Sequence, residues 1–273
     1  MTNSETSTTP YTGIDDLTVS LADGVLAVTL NRPDSLNSLT GPMLLTVADV
    51  VERAATDPAV RVVRLGGAGR GFSSGAGIGA ADHANPDANG APGDVLRAAN
   101  RAVRAIVASP KPVVSVVQGP AAGVGVSLAI AADVILASEK AYFLLAFTKI
   151  GLMPDGGASA LVAASIGRTR AMRMALLAER LSAADALTAG LVSAVYPADD
   201  LEAGVNAVIE TLKSGPAIAL RKTKESINTA TLTELEGALQ RETDGQLALL
   251  SAEDFREGTK AFQQRRPAVF TDE

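Results

Sequence analysis

Two glycine-rich turns are the stretches of this chain whose residue types and spacing suit chemistry. One is GGAGRGFSSGAGIGA, residues 66 to 80. The other begins at Gln118-Gly119-Pro120, continues through Gly123 and Gly125, and leads into Leu128 to Ala132. That run of small and aliphatic residues reads as a tightly packed helix. A glycine-lined turn feeding a helix leaves free N–H groups at the positive end of the helix dipole. Such a place suits an oxyanion or a phosphate. A plain strand-to-helix connection that uses glycine for packing has the same sequence, and both readings stand. Gly75-x-Gly77-x-x-Ala80 has the form of a dinucleotide fingerprint, but its context is wrong. It does not directly follow a strand, and it runs into Asp82-His83-Ala84-Asn85-Pro86 and not an apolar helix.

Other chemistries are narrowed by composition. The chain has 273 residues and no cysteine, which removes disulfides, thiolate metal sites and cysteine nucleophiles together. Its single histidine, His83, sits among turn-forming residues and reads as a solvated loop side chain. A net charge of −6 argues against nucleic acid or an anionic membrane as a general partner. At 47% hydrophobic and 20% charged the chain can bury a sizeable core, which Ala, Val, Leu and Ile must build because aromatics are only 3%. No apolar run approaches the ~20 residues that span a bilayer. The polar start, MTNSETSTTPYTG, lacks a basic region followed by an apolar one, so residues 1–13 read as a disordered tail. A cytoplasmic protein is expected.

Around the turns, a strand–helix alternation supplies the scaffold. Leu17–Ser20 and Val25–Leu30 flank Asp23-Gly24, a hairpin signal. Helical spacing runs from Met43 to Ala55, with Thr40 as cap and Pro42 in the first turn. Val60–Leu65 is the next strand, Asp82–Gly93 a loop, and Val95–Ala108 a helix. The unbroken apolar run Val113, Val114, Val116 and Val117 reads as a fully buried strand. Val134–Ala137 and Leu191–Tyr196 are further strands. Ala158–Ile166, Arg168–Leu177 and Ser182–Ala189 are helices, the last with a Ser cap and Asp185 at its third position. After Asp199 only helical patterns remain: 201–212, 217–228, 233–250 and 251–264. Alternation followed by a helical block predicts an α/β core over 14–198 and a helical region over 199–273.

Four segments in this order resemble the crotonase family, the enoyl-CoA hydratase/isomerase superfamily, over roughly residues 14 to 270. They are Leu30-Asn31-Arg32-Pro33-Asp34-Ser35-Leu36-Asn37-Ser38-Leu39, Gly71-Phe72-Ser73-Ser74-Gly75-Ala76-Gly77-Ile78, Val117 through Gly125, and Phe255-Arg256-Glu257-Gly258 through Arg265-Arg266-Pro267. The resemblance implies a spiral of ββα units with a helical trimerisation region. It implies an acyl-CoA thioester as substrate, no cofactor beyond that coenzyme A, and two backbone N–H groups that stabilise a thioester enolate, here those of Ala76 and Val124. Substrate-binding residues follow by position. The first segment contributes Ser35 and Leu36; the second, Ser74, Gly75, Ala76, Gly77 and Ile78; the third, Gly123 and Val124.

Departures from the family pattern decide the expected reaction. Hydratases of the family use two glutamates to hold and activate water, and their places are taken by Ser127 and Phe147. Neither has useful basicity near neutral pH. Asp155, in Met153-Pro154-Asp155-Gly156-Gly157, stands where some members carry an acidic residue, and the segment looks most like the Δ3,Δ2-enoyl-CoA isomerase group. One carboxylate can isomerise by taking a proton from C2 and returning it at C4. Asp is also a favoured helix cap, so a capping role is the alternative. The expectation is an isomerase. A non-catalytic acyl-CoA binding protein and an atypical hydratase are the other readings. Ser127 and Phe147, with Leu144, Leu145 and Val126, are expected to line the pocket. Lys260, Arg265 and Arg266 are expected to meet the CoA phosphates or to be solvated, and Lys222 and Lys224 to be solvated. Apolar residues after 199, among them Leu201, Val205, Leu235, Leu239 and Leu247, predict a homotrimer or hexamer.

Overall fold

The computed structural model describes residues 11–77 and 92–272. Its hairpin is β1 (Leu17–Ala22) and β2 (Val25–Leu30), antiparallel, with Leu17 opposite Leu30. Asp23 and Gly24 both take positive φ, 48° and 77°. That pair of left-handed residues twists the turn to match its strands. Helix α1 (Gly41–Ala54) follows, and the Thr40 side chain accepts from Met43 N–H at 3.3 Å, as expected of its cap. Next come β3 (Val62–Gly67), α2 (Pro92–Ala108), β4 (Val113–Val117) and the two-residue β5 (Ala121–Ala122). Then follow α3 (Val124–Ile130), β6 (Val134–Ser138) and β7 (Tyr142–Leu144). After these are α4 (Ala158–Ile166), α5 (Arg168–Leu177), β8 (Leu181–Ser182), α6 (Ala183–Ala189) and β9 (Ala194–Tyr196). Four helices end the chain: α7 (Leu201–Ser214), α8 (Ala217–Thr231), α9 (Leu235–Leu249) and α10 (Glu253–Gln263).

The main sheet runs β1-β2-β3-β4-β6-β9, parallel throughout except for the hairpin, and β5-β7-β8 form a second, small sheet. All five residues of β4 are buried, as its uninterrupted valines require of a central strand covered on both faces. Val113 and Val117 point into the large core with α1, α2 and α3. Val114 and Val116 point the other way, onto Leu201, Val205 and Ile209 of α7.

Several expectations need correction. Helix α3 starts at Val124 and not Leu128, because the turn closes earlier, with Gly123 at φ 54° as the residue before the helix. The last strand is short: Leu191 to Ser193 bend, and only Ala194–Tyr196 pair with β6. Residues 1–10 of the predicted tail lie outside the described residues, and Tyr11 is tied down: its hydroxyl donates to Asp57 Oδ2 at 2.9 Å under the Arg53 guanidinium. The boundary at 198 marks a change of secondary structure and no break in packing, since α7 covers one sheet face and Leu235 and Leu239 of α9 lie in the main core. Leu201, Val205, Leu235 and Leu239 are therefore covered within the chain; of the expected residues Leu247 is exposed, as are Ile218, Ile227 and Phe262. Lys224 is half-buried and paired with Asp133 at 2.9 Å. It donates also to the Ile106 carbonyl at 3.0 Å. Residues 82–91 of the predicted loop, His83 and Ile78 lie outside the described residues, and Gly93 already belongs to α2.

Candidate active site

Three loops are zipped together by backbone hydrogen bonds. Leu39 N–H donates to the Gly75 carbonyl at 2.8 Å, and Gly77 N–H to the Leu39 carbonyl at 3.2 Å. Ala122 N–H donates to the Ser73 carbonyl at 2.9 Å, and Gly123 N–H to the Leu144 carbonyl at 2.9 Å. Asn37 locks the first loop to the second, its Nδ2 donating to the carbonyls of Ala68 and Gly71. The backbones also approach closely at Gly75, with φ 91°, where a Cβ would lie 2.8 Å from the Ala122 carbonyl oxygen. Only glycine fits there.

This zipping brings the two glycine-rich turns side by side. Ala76 is exposed, and Val124 opens the first turn of α3. Among the described residues neither N–H has a hydrogen-bond partner. They are free donors on adjacent turns, one of them at a helix N-terminus. Phe147 is buried, and its ring comes within 3.9 Å of where a Gly123 Cβ would stand.

The turn that carries Asp155 packs against the first turn of α3. Gly156 after it packs against Val124 and Ser127 so closely that a Cβ there would lie 3.1 Å from Val124 Cγ2. Ser127 is buried and donates to the Asp155 backbone carbonyl at 2.7 Å. The serine in the place of a glutamate thus holds the aspartate's turn. The Asp155 side chain does not cap α4, whose capping residue is Gly157 with no side-chain cap. Glu242 of α9 does that from a distance, accepting from Gly157 N–H at 2.6 Å and Ser159 N–H at 2.8 Å.

The Asp155 carboxyl is held by one atom. Gln246 Nε2 donates to Oδ2 at 2.8 Å, while Oδ1 is buried and has no partner among the described residues. Loss of hydration is the largest influence on the group and pushes its pKa up to about 7; the Gln246 hydrogen bond pulls it down, and nearby Glu242 pushes it up again. A buried, unpaired carboxylate oxygen costs free energy on the order of 1–3 kcal/mol, so it marks a place kept for something else. Such perturbed groups concentrate at functional sites.

The other expected site residues divide. Ser35 and Ser74 spend their hydroxyls locally: Ser35 Oγ donates to the Arg32 carbonyl at 3.1 Å, and Ser74 Oγ to the Ser35 carbonyl at 2.9 Å. Leu36 takes φ 53° and accepts from Ser74 N–H. Lys260 and Arg265 are exposed, the second just past α10. Helix α10 packs on the turn that carries Phe147, with Gly258 against Ile150. Arg266 is taken by Glu257 through two hydrogen bonds, which hold that carboxyl down at about 2. Glu242 and Gln246 were missed in the sequence. Their signal is spacing: they continue the buried stripe Leu235, Leu239 at intervals of four, three and four, where a helix ordinarily places apolar residues.

The two free amides on apposed glycine turns and the Asp155 turn thus sit together on the α/β core. The match to the family described as Enoyl-CoA hydratase/isomerase runs over residues 20–273, and the chain belongs to that family. It is 36% identical over 252 residues to the 1,2-epoxyphenylacetyl-CoA isomerase of Escherichia coli, covering 91% of this chain and 95% of that one. It is 37% identical to a probable enoyl-CoA hydratase of Rhodobacter capsulatus, covering 92% and 96%. A solved enoyl-CoA hydratase from Mycobacterium avium subsp. paratuberculosis superposes with a TM-score of 0.88 at 65% identity, covering 95% of this chain and all of that one.

Proposed function

We propose that the protein is an enoyl-CoA isomerase acting on a fatty acyl-CoA thioester, with Asp155 as its one base and the N–H groups of Ala76 and Val124 as oxyanion donors. The observation that carries this reading is the unpartnered Oδ1 of a buried carboxyl that titrates near neutrality beside the first turn of α3. A base works best when its pKa lies near the working pH. In the proposed step Asp155 takes a proton from C2 of a 3-enoyl thioester. The C–H electron pair moves into a dienolate whose oxygen rests on the two amides. The same proton returns at C4, the double bond moves to C2–C3, and no other group is consumed. Gly75, Gly77, Gly123 and Phe147 shape the acyl cavity in this reading, Ser35, Leu36 and Ser74 wall it, and Lys260 and Arg265 meet the phosphates of coenzyme A. The exposed apolar residues on α5, α8 and the C-terminus suit a trimer or hexamer in the cytoplasm.

Turnover of 3-hexenoyl-CoA by wild type and Asp155→Asn tests the reading. Loss of a sole base lowers kcat by about 10²–10⁴-fold. A variant at full rate removes Asp155 from the chemistry. The 65% identity to a structure described as an enoyl-CoA hydratase favours hydration as a second reading. Its test is water addition to crotonyl-CoA at an enzymatic rate. Tight acyl-CoA binding with neither activity would make the chain a binding protein.

A further inference from the structure

Asp155 has two oxygens, and only one of them is free. We propose that Gln246 is a positioning residue that commits Asp155 Oδ2 and so selects Oδ1 as the atom that carries the proton between substrate carbons. The inference rests on Asp155 acting as the base.

The orientation of the Gln246 amide is set by its second partner. Met153 N–H can only donate, and it donates to Gln246 Oε1 at 3.2 Å. The Nε2 end must then face Asp155, where it donates to Oδ2 at 2.8 Å. An amide NH2 cannot accept a hydrogen bond, so a proton on Oδ2 would meet another donor. The protonated acid must therefore carry its proton on Oδ1. Gln246 is 2% exposed on α9, one turn beyond Glu242. The absence of a side chain at Gly245 gives Met153 Sδ room to lie against α9, which brings the Met153 amide to Gln246. One side chain thus ties α9 to both ends of Met153-Pro154-Asp155.

In the reaction the C2–H bond breaks, its electron pair enters the dienolate and the proton forms a bond with Oδ1. Then the Oδ1–H bond breaks and the proton bonds to C4. Oδ2 stays on Gln246 throughout, so the carboxyl need not rotate between the two carbons. Charge around the group is sparse. Helices α3 and α4, packed against it, contain no charged residue. From α9 comes Glu242, with Arg241 acting on that glutamate.

The test compares Gln246→Met, which keeps the volume and removes the donor, with Gln246→Glu, which keeps the acceptor for Met153 N–H and adds a like charge. The probe is 3-hexenoyl-CoA, with kcat and KM measured across pH. Losing a hydrogen bond to the ionised form moves the acid limb of kcat/KM up by about 1–2 pH units. Both variants are expected to lose at least about tenfold in kcat, with KM within about threefold. A ¹³C-carboxyl titration of the free enzyme, with the Asp155 signal assigned by its absence in Asp155→Asn, is expected to show the same upward movement. If either folded variant keeps the wild-type limb and kcat, or loses only thermal stability, the inference is overturned. If Asp155→Asn is inactive while the glutamine variants behave as wild type, only this inference fails. If Asp155→Asn is fully active, the base assignment fails with it.

Discussion

Two carboxylates lie near opposite ends of α3, and they are treated in opposite ways. Asp133, just beyond its C-terminal end, accepts from Val113 N–H at 2.7 Å and lies 2.9 Å from Lys224 Nζ. Asp155, beside its N-terminal end, has one amide donor, a like-charged neighbour and a free oxygen. Burial pushes both carboxyl groups up, and it pushes the Lys224 ammonium down. The lysine and the Val113 amide oppose that rise at Asp133. At Asp155 only Gln246 opposes it. A structural carboxylate is surrounded by partners that favour its charge; the one beside the glycine turns is left short of them. The difference teaches that Asp133 anchors α8 to the sheet, while the instability at Asp155 is retained where chemistry is proposed.

Removing the partner from the structural site is expected to have the largest effect on stability. Lys224→Met leaves the Asp133 carboxylate with the Val113 amide and no counter-charge, which costs about 3 kcal/mol. Urea denaturation at fixed protein concentration measures it, and turnover per folded molecule should not change. Adding Asp133→Asn should recover most of the loss; a single variant within about 1 kcal/mol of wild type would erase the contrast.

At the other carboxylate the same kind of edit should stabilise. The Asp155 pKa rises from 3.8 to about 7 on folding. Between those values the native state holds a proton that the unfolded state has released, so stability falls as pH rises from near 4 to near 7 and is level above. Asp155→Asn removes that dependence. It is expected to match wild type near pH 4 and to exceed it by up to about 4 kcal/mol at pH 8, at 1.36 kcal/mol per pKa unit. Glu242, raised in the same direction, keeps a residual slope in both proteins. Parallel Tm–pH curves for variant and wild type would contradict the assignment.

The smallest effect is expected at Ser127→Ala. Its hydroxyl donates to the Asp155 carbonyl, which also accepts from Ala158 N–H at 3.2 Å, so the carbonyl keeps a partner. A loss of about 1 kcal/mol in stability is expected. The accompanying fall in kcat should be a few-fold, well short of what Asp155→Asn causes. A loss as large as that of Asp155→Asn would make the serine hydroxyl itself part of the chemistry.

By itself the sequence determined the elements and the family. Asp23-Gly24, Thr40 with Pro42, Ser182 with Asp185, and the valines of β4 act over a few residues, so their outcome is written locally. The glycines at 75 and 123 likewise announced turns that only a missing side chain allows. The tertiary structure decided what those turns and carboxylates face. Glu242 lies 85 residues from the amide it caps, and Gln246 lies 91 from the aspartate it holds. Lys224 reads as a surface lysine until α8 docks against the C-terminal end of α2 and brings it to Asp133, and α7 reads as an appendage until its apolar stripe meets β4. Periodicity reports which side of a helix is buried and not which element buries it. A charge buried far along the chain has no local signature, because its partner is chosen by packing.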